Sequence, residues 1–358
     1  MAFTVGLQNQ SDAYAGVLYG GADFTGIFMT GKAEPMSYKF GWAKLYENDT
    51  KKSDDMTLYV AETIFSPVKE VKLGLNFYYL QDDTQKNATI AFSGTSSGTA
   101  LPNGTGGGTF TGAAGDNPFG APNKKKVYMP GVNVAFQAGP ATISAFGMYQ
   151  FGKIDYLTNT SVIKDVDIQA YMLDARGDLN LGPGKAFIEG LYLSGGDNPK
   201  TKYKAPITLA TNEGSPGGNS AYSRTNTIML LSAPDTINIS QCVIGCSGGD
   251  LGTDMGFGGR GVWHVAAGYA QSFTNALKGE VNASYLSVTK RLVTDNTVKG
   301  NGIGTEVNAQ LTYNIMKGLD VSAVGGYLWF GDFYKSNVSG EPEVKNAWTS
   351  YAKINYAY

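Results

Sequence analysis

Residues 303–315 read Ile303-Gly304-Thr305-Glu306-Val307-Asn308-Ala309-Gln310-Leu311-Thr312-Tyr313-Asn314-Ile315. One set of alternate residues is Ile303, Thr305, Val307, Ala309, Leu311, Tyr313 and Ile315; the other is Gly304, Glu306, Asn308, Gln310, Thr312 and Asn314. A period of two places these sets on opposite faces of a β-strand, one apolar and one polar. At about 3.4 Å per residue the run covers about 40 Å, well beyond the ~5–6 residues of an ordinary strand. Long tilted strands of this kind are what a membrane barrel requires.

The pattern recurs. Residues 277–289 set Leu277, Val281, Ala283 and Tyr285 against Lys278, Glu280, Asn282 and Ser284; residues 71–81 set Val71, Leu73, Leu75, Phe77 and Tyr79 against Lys72, Asn76 and Tyr78. Residues 319–331 place Leu319, Val321, Ala323, Tyr327 and Trp329 opposite Asp320, Ser322 and Gly326, and residues 166–179 carry Asp174, Arg176 and Asp178 on their polar face. Weaker alternation covers 38–46, 57–65, 132–138, 141–151, 186–194 and 262–273. Short connections at 66–69, 139–140, 181–184, 274–276 and 316–318 carry turn chemistry. Between them lie the longer polar tracts 47–55, 82–126, 155–165, 196–261, 291–302 and 332–343, and a hairpin around Thr225–Ser232 fits within the fourth of these. The expected architecture is all-β: a single domain over 1–358, a transmembrane antiparallel up-and-down β-barrel of about 14 strands, with room for 16 or 18. Short periplasmic turns alternate with long extracellular loops, the largest at 82–126 and 196–261.

Composition agrees. Of 358 residues, 48 are Gly, 22 Tyr and 17 Phe, while charged residues make up only 16% and the net charge is −2. The absence of a basic excess argues against a nucleic-acid partner. One His excludes histidine-pair and three-histidine metal chemistry. No run of about 20 apolar residues is present, so spanning helices are out. Mean hydropathy of −0.17 is ordinary for a barrel, in which only alternate residues are apolar. The N-terminus, Met1-Ala2-Phe3-Thr4-Val5-Gly6, shows no basic and apolar leader, which suggests a mature or truncated form.

The chain ends Trp348-Thr-Ser350-Tyr-Ala352-Lys-Ile354-Asn-Tyr356-Ala-Tyr358, with alternate apolar or aromatic residues and a final aromatic. This resembles the terminal signature of Gram-negative outer-membrane barrels, and Met316-Lys-Gly318-Leu319-Asp-Val321 looks like the turn-strand unit of bacterial porins. The resemblance implies a Gram-negative outer-membrane location and a last strand read by the barrel-assembly machinery, which then pairs with the first strand. It also implies contact with lipid and lipopolysaccharide, and the trimers common in porins, although the sequence does not show the oligomer.

With apolar sets facing lipid, the lumen set includes Lys39, Glu62, Lys72, Asp174, Arg176, Asp178, Glu189, His264, Lys278, Glu280, Glu306, Asp320 and Lys353. Arg or Lys facing lipid costs roughly 2–4 kcal/mol at the midplane, so these charges belong against water. Leaving His264 aside, five are positive and seven negative, which suggests at most a mild preference for cations. The plainer reading of any one of them is a solvated wall residue. Tyr38, Trp42, Tyr149, Tyr192, Trp263, Tyr269, Trp329, Tyr356 and Tyr358 are candidates for interfacial girdles, against the alternative of ordinary strand aromatics.

Other motifs are weaker. Cys242 and Cys246 lack redox or zinc spacing and suit a small loop disulfide in an oxidising envelope. Gly256-Phe-Gly258-Gly-Arg-Gly261 matches a dinucleotide string, but a strand pattern rather than a helix follows it, so it reads as loop leading into strand. Asp54, Asp55, Asp82, Asp83, Asp250 and Asp254 lack EF-hand spacing and read as solvated loop charge rather than a divalent-cation site. His264 has no serine elbow beside it in sequence. The expectation is a porin that passes small hydrophilic solutes or ions passively, without a cofactor and without catalysis. Its rivals are a barrel sheath around a partner such as a cytochrome, a membrane-embedded hydrolase built on His264, and a secreted adhesin.

Overall fold

The computed structural model describes residues 1–19, 22–46, 55–83, 123–156, 165–198, 202–207, 227–230, 259–293, 295, 298–335 and 344–357. Among them are fifteen strands: β1 (Ala2–Gln10), β2 (Ala22–Ala33), β3 (Met36–Tyr46), β4 (Met56–Val68), β5 (Val71–Asp82), β6 (Asn123–Ala138), β7 (Ala141–Tyr156), β8 (Val166–Leu181), β9 (Gly184–Leu193), β10 (Lys202–Tyr203), β11 (Val262–Ser272), β12 (Leu277–Val288), β13 (Gly302–Met316), β14 (Leu319–Phe330) and β15 (Ala347–Tyr356). Fourteen form one antiparallel meander, β1 to β9 and then β11 to β15; the two-residue β10 lies parallel beside β8.

Alternation of side chains makes the meander two-sided. Along β8, Val166, Ile168, Ala170, Met172 and Asp174 are buried, while Asp167, Gln169, Tyr171 and Leu173 are exposed. Buried side chains from every strand between β2 and β14 belong to a single cluster. One sheet can form such a cluster only by curling on itself with that face inward. The outward face keeps its apolar rows, and Leu75 and Ile188 are each 67% exposed. A soluble protein would bury such rows; hydrocarbon accepts them.

The tight turns lie at one end. Gly139, Gly182 and Gly318 each hold a positive φ there, of 57°, 62° and 82°, a conformation glycine adopts without steric cost. At the loop-side end the outward aromatics line up across strands. Trp42, Tyr59, Tyr79, Tyr128 and Phe151 are successive cross-strand partners on β3 to β7. Their rings stack at 5.7 Å (Tyr59–Tyr79), 4.8 Å (Tyr79–Tyr128) and 5.3 Å (Tyr128–Phe151). Tyr192 and Trp263 are likewise cross-strand partners on β9 and β11. An aromatic row at one level of the outer wall is the mark of a membrane–water interface.

Four expectations change. β6 begins at Asn123, inside the tract read as loop, because Lys124-Lys125-Lys126 hides a strand whose partners are Gln81, Asp82 and Tyr156 through Lys153. Ile303, assigned to the lipid face, is fully buried inside. The register of β12 against β13 jumps from Leu286↔Gly304 to Ser287↔Gly302, so Ile303 is the extra residue of a bulge, which reverses its face. Of the hairpin read around Thr225–Ser232, residues 225, 226, 231 and 232 lie outside the described residues, and Ile228–Leu230 form a bend rather than strand. Finally, β1 and β15 each have a ladder partner on one side only among the described residues. Val5 and Trp348 are accordingly 74% and 72% exposed. The terminal aromatic pattern sets which face of β15 points outward; it does not set what lies along its free edge.

Candidate functional site

The inner wall has two zones. Toward the loops its side chains are apolar: Leu58, Val60, Leu80, Val127, Met129, Ile168, Met172, Leu193 and Leu286 are buried there. They pack with Tyr14, Val17, Leu18 and Tyr19 from the β1–β2 connection, with Tyr203 and Ala205, and with Ile228, Met229 and Leu230. This corrects the expectation of a lumen polar throughout. Period-two alternation separates the faces of a strand but does not show that the inward positions near the loops are apolar because inward-folded segments cover them.

A carboxylate folds one of these segments on itself, and an amide and a second carboxylate tie two others to the wall. Asp12 accepts hydrogen bonds from the backbone N–H groups of Tyr14 (2.8 Å), Gly16 (2.8 Å), Leu18 (2.6 Å) and Tyr19 (2.8 Å). Gln150, fully buried on β7, accepts from the Ile207 N–H at 2.7 Å and donates to its carbonyl at 2.9 Å. Glu306, fully buried on β13, accepts from the N–H groups of Ile228 (2.7 Å), Met229 (3.0 Å) and Leu230 (2.7 Å), and from Asn308 Nδ2 (2.8 Å). Burial raises the Asp12 carboxyl to about 6, against the lowering effect of its four backbone donors. A carboxyl with a folded-state pKa above its unfolded one favours folding at low pH and loses that contribution as pH rises. Wild type should therefore lose stability relative to Asp12→Asn as pH rises from 4 through 6. Denaturation midpoints at several pH values check this, and an opposite slope overturns it.

Toward the turns the wall is polar, and register sets it out in rows. Arg176, Glu189, Ala266, Ser284 and Glu306 are successive partners on β8, β9, β11, β12 and β13. The next row holds Asp178, Phe187, Gly268, Asn282 and Asn308, with neighbouring strands about 4.8 Å apart. Arg176 forms a two-pronged pair with Asp178 (2.9 Å for each bond) and lies 4.1 Å over the Phe187 ring. Lys185 reaches the same Asp178 at 3.2 Å. On the opposite wall Lys39 pairs with Glu62 at 2.8 Å, and the Tyr78 hydroxyl donates to Glu62 at 2.8 Å. Lys278 pairs with Glu280.

The sequence-derived lumen set thus falls into three groups. Lys39, Glu62, Arg176, Asp178, Lys278 and Glu280 form ion pairs on the inner wall. Asp174, Glu189 and His264 are inward and buried, and the His264 ring nitrogens have no hydrogen-bond partner among the described residues. Lys72, Asp320 and Lys353 sit inward at the turn-side rim. Glu306 departs from the set, because it holds backbone N–H groups rather than facing water. Sequence reasoning missed Asp12 and Gln150. The signal for Gln150 was an amide on the inward face of β7 between Met148 and Ile154, a polar residue among apolar ones.

The remaining motifs resolve in part. Asp55, Asp82 and Asp83 pair with Lys44 (3.1 Å), Lys125 (2.7 Å) and Lys124 (3.1 Å), so they serve as ion-pair partners. Arg260 leads into β11 and binds Asp295 through two bonds of 2.7 and 2.6 Å. The girdle candidates Tyr38, Trp42, Tyr149, Tyr192, Trp263, Tyr269, Trp329 and Tyr356 fall on the outward alternation. Tyr358, the Cys242–Cys246 disulfide, Gly256–Gly258, Asp54, Asp250 and Asp254 lie outside the described residues.

No family model and no curated protein matches the chain. Solved structures do. The crystal structure of Pseudomonas aeruginosa OccK11 (OpdR) superposes with a TM-score of 0.50 at 10% identity, covering 99% of this chain and 76% of that one. Pseudomonas aeruginosa OccK5 (OpdH) gives 0.48 at 10% identity over 99% and 78% of the two chains, and Acinetobacter baumannii OccAB1 gives 0.48 at 10% over 98% and 74%. The fold is that of an outer-membrane β-barrel. The barrel accounts for features a soluble sheet would not tolerate: apolar rows facing outward, an aromatic belt, and ionised side chains facing in.

Proposed function

We propose that the protein is a channel of the Gram-negative outer membrane for the passive diffusion of small hydrophilic solutes or ions, and not an enzyme. The observation that carries this reading is the turn-side inner wall, where ion pairs and amides line the barrel interior while apolar side chains face outward. Charges of both signs line that wall, and with Glu306 set aside the inward set holds six acidic against five basic side chains, which favours cations at most mildly. We further propose contact with lipid and lipopolysaccharide, insertion by the barrel-assembly machinery, and a homo-oligomer as the working unit.

The apolar layer on the loop side favours a second reading, a barrel that does not conduct and serves as a scaffold. A sheath around a cytochrome needs a wide lumen, and this lumen is occupied by the chain's own residues. Planar-bilayer recording separates the two. Discrete, stable current steps are expected from a channel; silence from folded, inserted protein rejects it.

A further inference from the structure

We infer that the outer wall of β6 and β7 holds one molecule of a phosphorylated outer-leaflet lipid, the lipid A part of lipopolysaccharide, with an acyl chain in a groove beside Pro130 and a phosphate on Lys126. This deepens the lipid contact proposed above and rests on the outer-membrane reading, not on conduction.

Three observations carry it. The first is a groove of about 560 Å³ on the outward face of β5 to β8, lined by Leu75, Pro130, Val132, Tyr149, Tyr171 and Leu173 among others. Two backbone features make it. The β6–β7 ladder is interrupted between Tyr128↔Phe151 and Gly131↔Met148, where Pro130 has no N–H to donate. Gly147 leaves the outward face bare: a methyl there would meet the end of Leu173 at 3.2 Å and no other side chain within 4 Å. An apolar recess in the hydrocarbon layer forfeits dispersion contacts unless a chain fills it.

The second observation is what stands above the groove on the loop side. On the same face Pro130 is followed by Tyr128 and Lys126, and Tyr149 by Phe151 and Lys153. The Tyr128 and Phe151 rings belong to the interfacial row and stack at 5.3 Å. Lys126 lies four residues from Pro130, about 14 Å along the strand. That spacing puts a head group at the interface while its chain lies in hydrocarbon, and the long connections make this leaflet the outer one.

The third is charge. Lys126 and Lys153 are direct cross-strand partners, and like charges so placed repel. Asp155 and Asp165 answer Lys153 at 2.9 and 3.0 Å. Lys126 is exposed and has no ion pair among the described residues. It calls for an anion and the groove for a hydrocarbon chain; a phosphorylated lipid supplies both.

Native mass spectrometry of the full chain in a non-ionic detergent, with lipid A as the added probe, tests the site. Wild type should retain one lipid A. Gly147→Leu fills the groove with an apolar side chain and should bind about tenfold more weakly. Lys126→Gln, at an exposed position that leaves the fold intact, should bind about fivefold more weakly. Lipid A stripped of its phosphates should bind wild type and Lys126→Gln alike. Gly177→Leu, on the outward face of β8 away from the groove, should match wild type. The inference is overturned by wild type that retains no lipid A, by equal retention in wild type, Gly147→Leu and Lys126→Gln, or by a wild-type dimer that Gly147→Leu breaks, which would give the groove to a second copy. Planar-bilayer recording of the same samples keeps the channel reading separate: current steps without lipid retention sink the site alone, and retained lipid without current sinks the channel alone.

Discussion

Leu311→Arg is expected to destabilise the protein in lipid vesicles by about 2–4 kcal/mol, the cost of a lipid-facing Arg near the midplane. Thr312→Arg, one residue along, should cost far less, because its side chain joins Gln310 and Ser322 on the water-facing wall. Leu311 is 48% exposed on the outer face of β13, with Ala323 and Gly279 as its cross-strand partners. Among the described residues no apolar side chain covers that row, so the penalty arises only if hydrocarbon does. Unfolding by denaturant in vesicles of a zwitterionic lipid measures the pair. Similar costs at the two positions, or a penalty that persists without lipid, would sink the assignment of the faces and favour a soluble sheet.

Asp295→Ala is expected to cost about 3–5 kcal/mol, the range for removing one partner of a buried ion pair. Arg260 is 8% and Asp295 7% exposed, and their two-pronged contact ties the approach to β11 to the β12–β13 connection. Asp295 also accepts from the Leu292 N–H at 2.9 Å, so its loss disturbs that turn as well. Arg260→Met in the Asp295→Ala background should recover part of the loss, since an apolar side chain in place of the guanidinium removes the buried charge. The recovery is read from the denaturant midpoint of each variant, and its absence would mean that the turn contact, not the charge, carries the effect.

Much of the fold is legible in the sequence. The alternation of 303–315 matches β13 (Gly302–Met316) to within a residue at each end, and the short turns read at 139–140, 181–184 and 316–318 are turns in the structure. These features are local: a strand's two faces follow from the period of its own residues, and a tight turn from its own glycine. Ile303 marks the limit, since one bulge residue reverses a face without altering the composition around it.

The site was legible by position and not by role. The sequence placed Arg176, Asp178, Lys278 and Glu280 inside, because charges avoid lipid, and placed Glu306 among them for the same reason. Whether a given inward charge meets water, an opposite charge or a backbone amide depends on what arrives from elsewhere in the chain. For Lys39 the partner Glu62 is one strand away; for Glu306 the partners lie 76–78 residues distant.

The order of residues alone specifies an all-β chain with long two-faced strands, an apolar outer wall, inward charges toward the turns, and connections short on one side and long on the other. It takes the folded chain to show that the loop-side half of the interior is filled, that Asp12 folds one of the segments filling it while Gln150 and Glu306 hold two others, and that Gly326 makes room for one of them. The reason is physical. Strand patterning is written in neighbouring residues and in the choice between hydrocarbon and water, whereas contacts between a loop and the opposite wall join residues far apart in sequence, and no period along the chain records them.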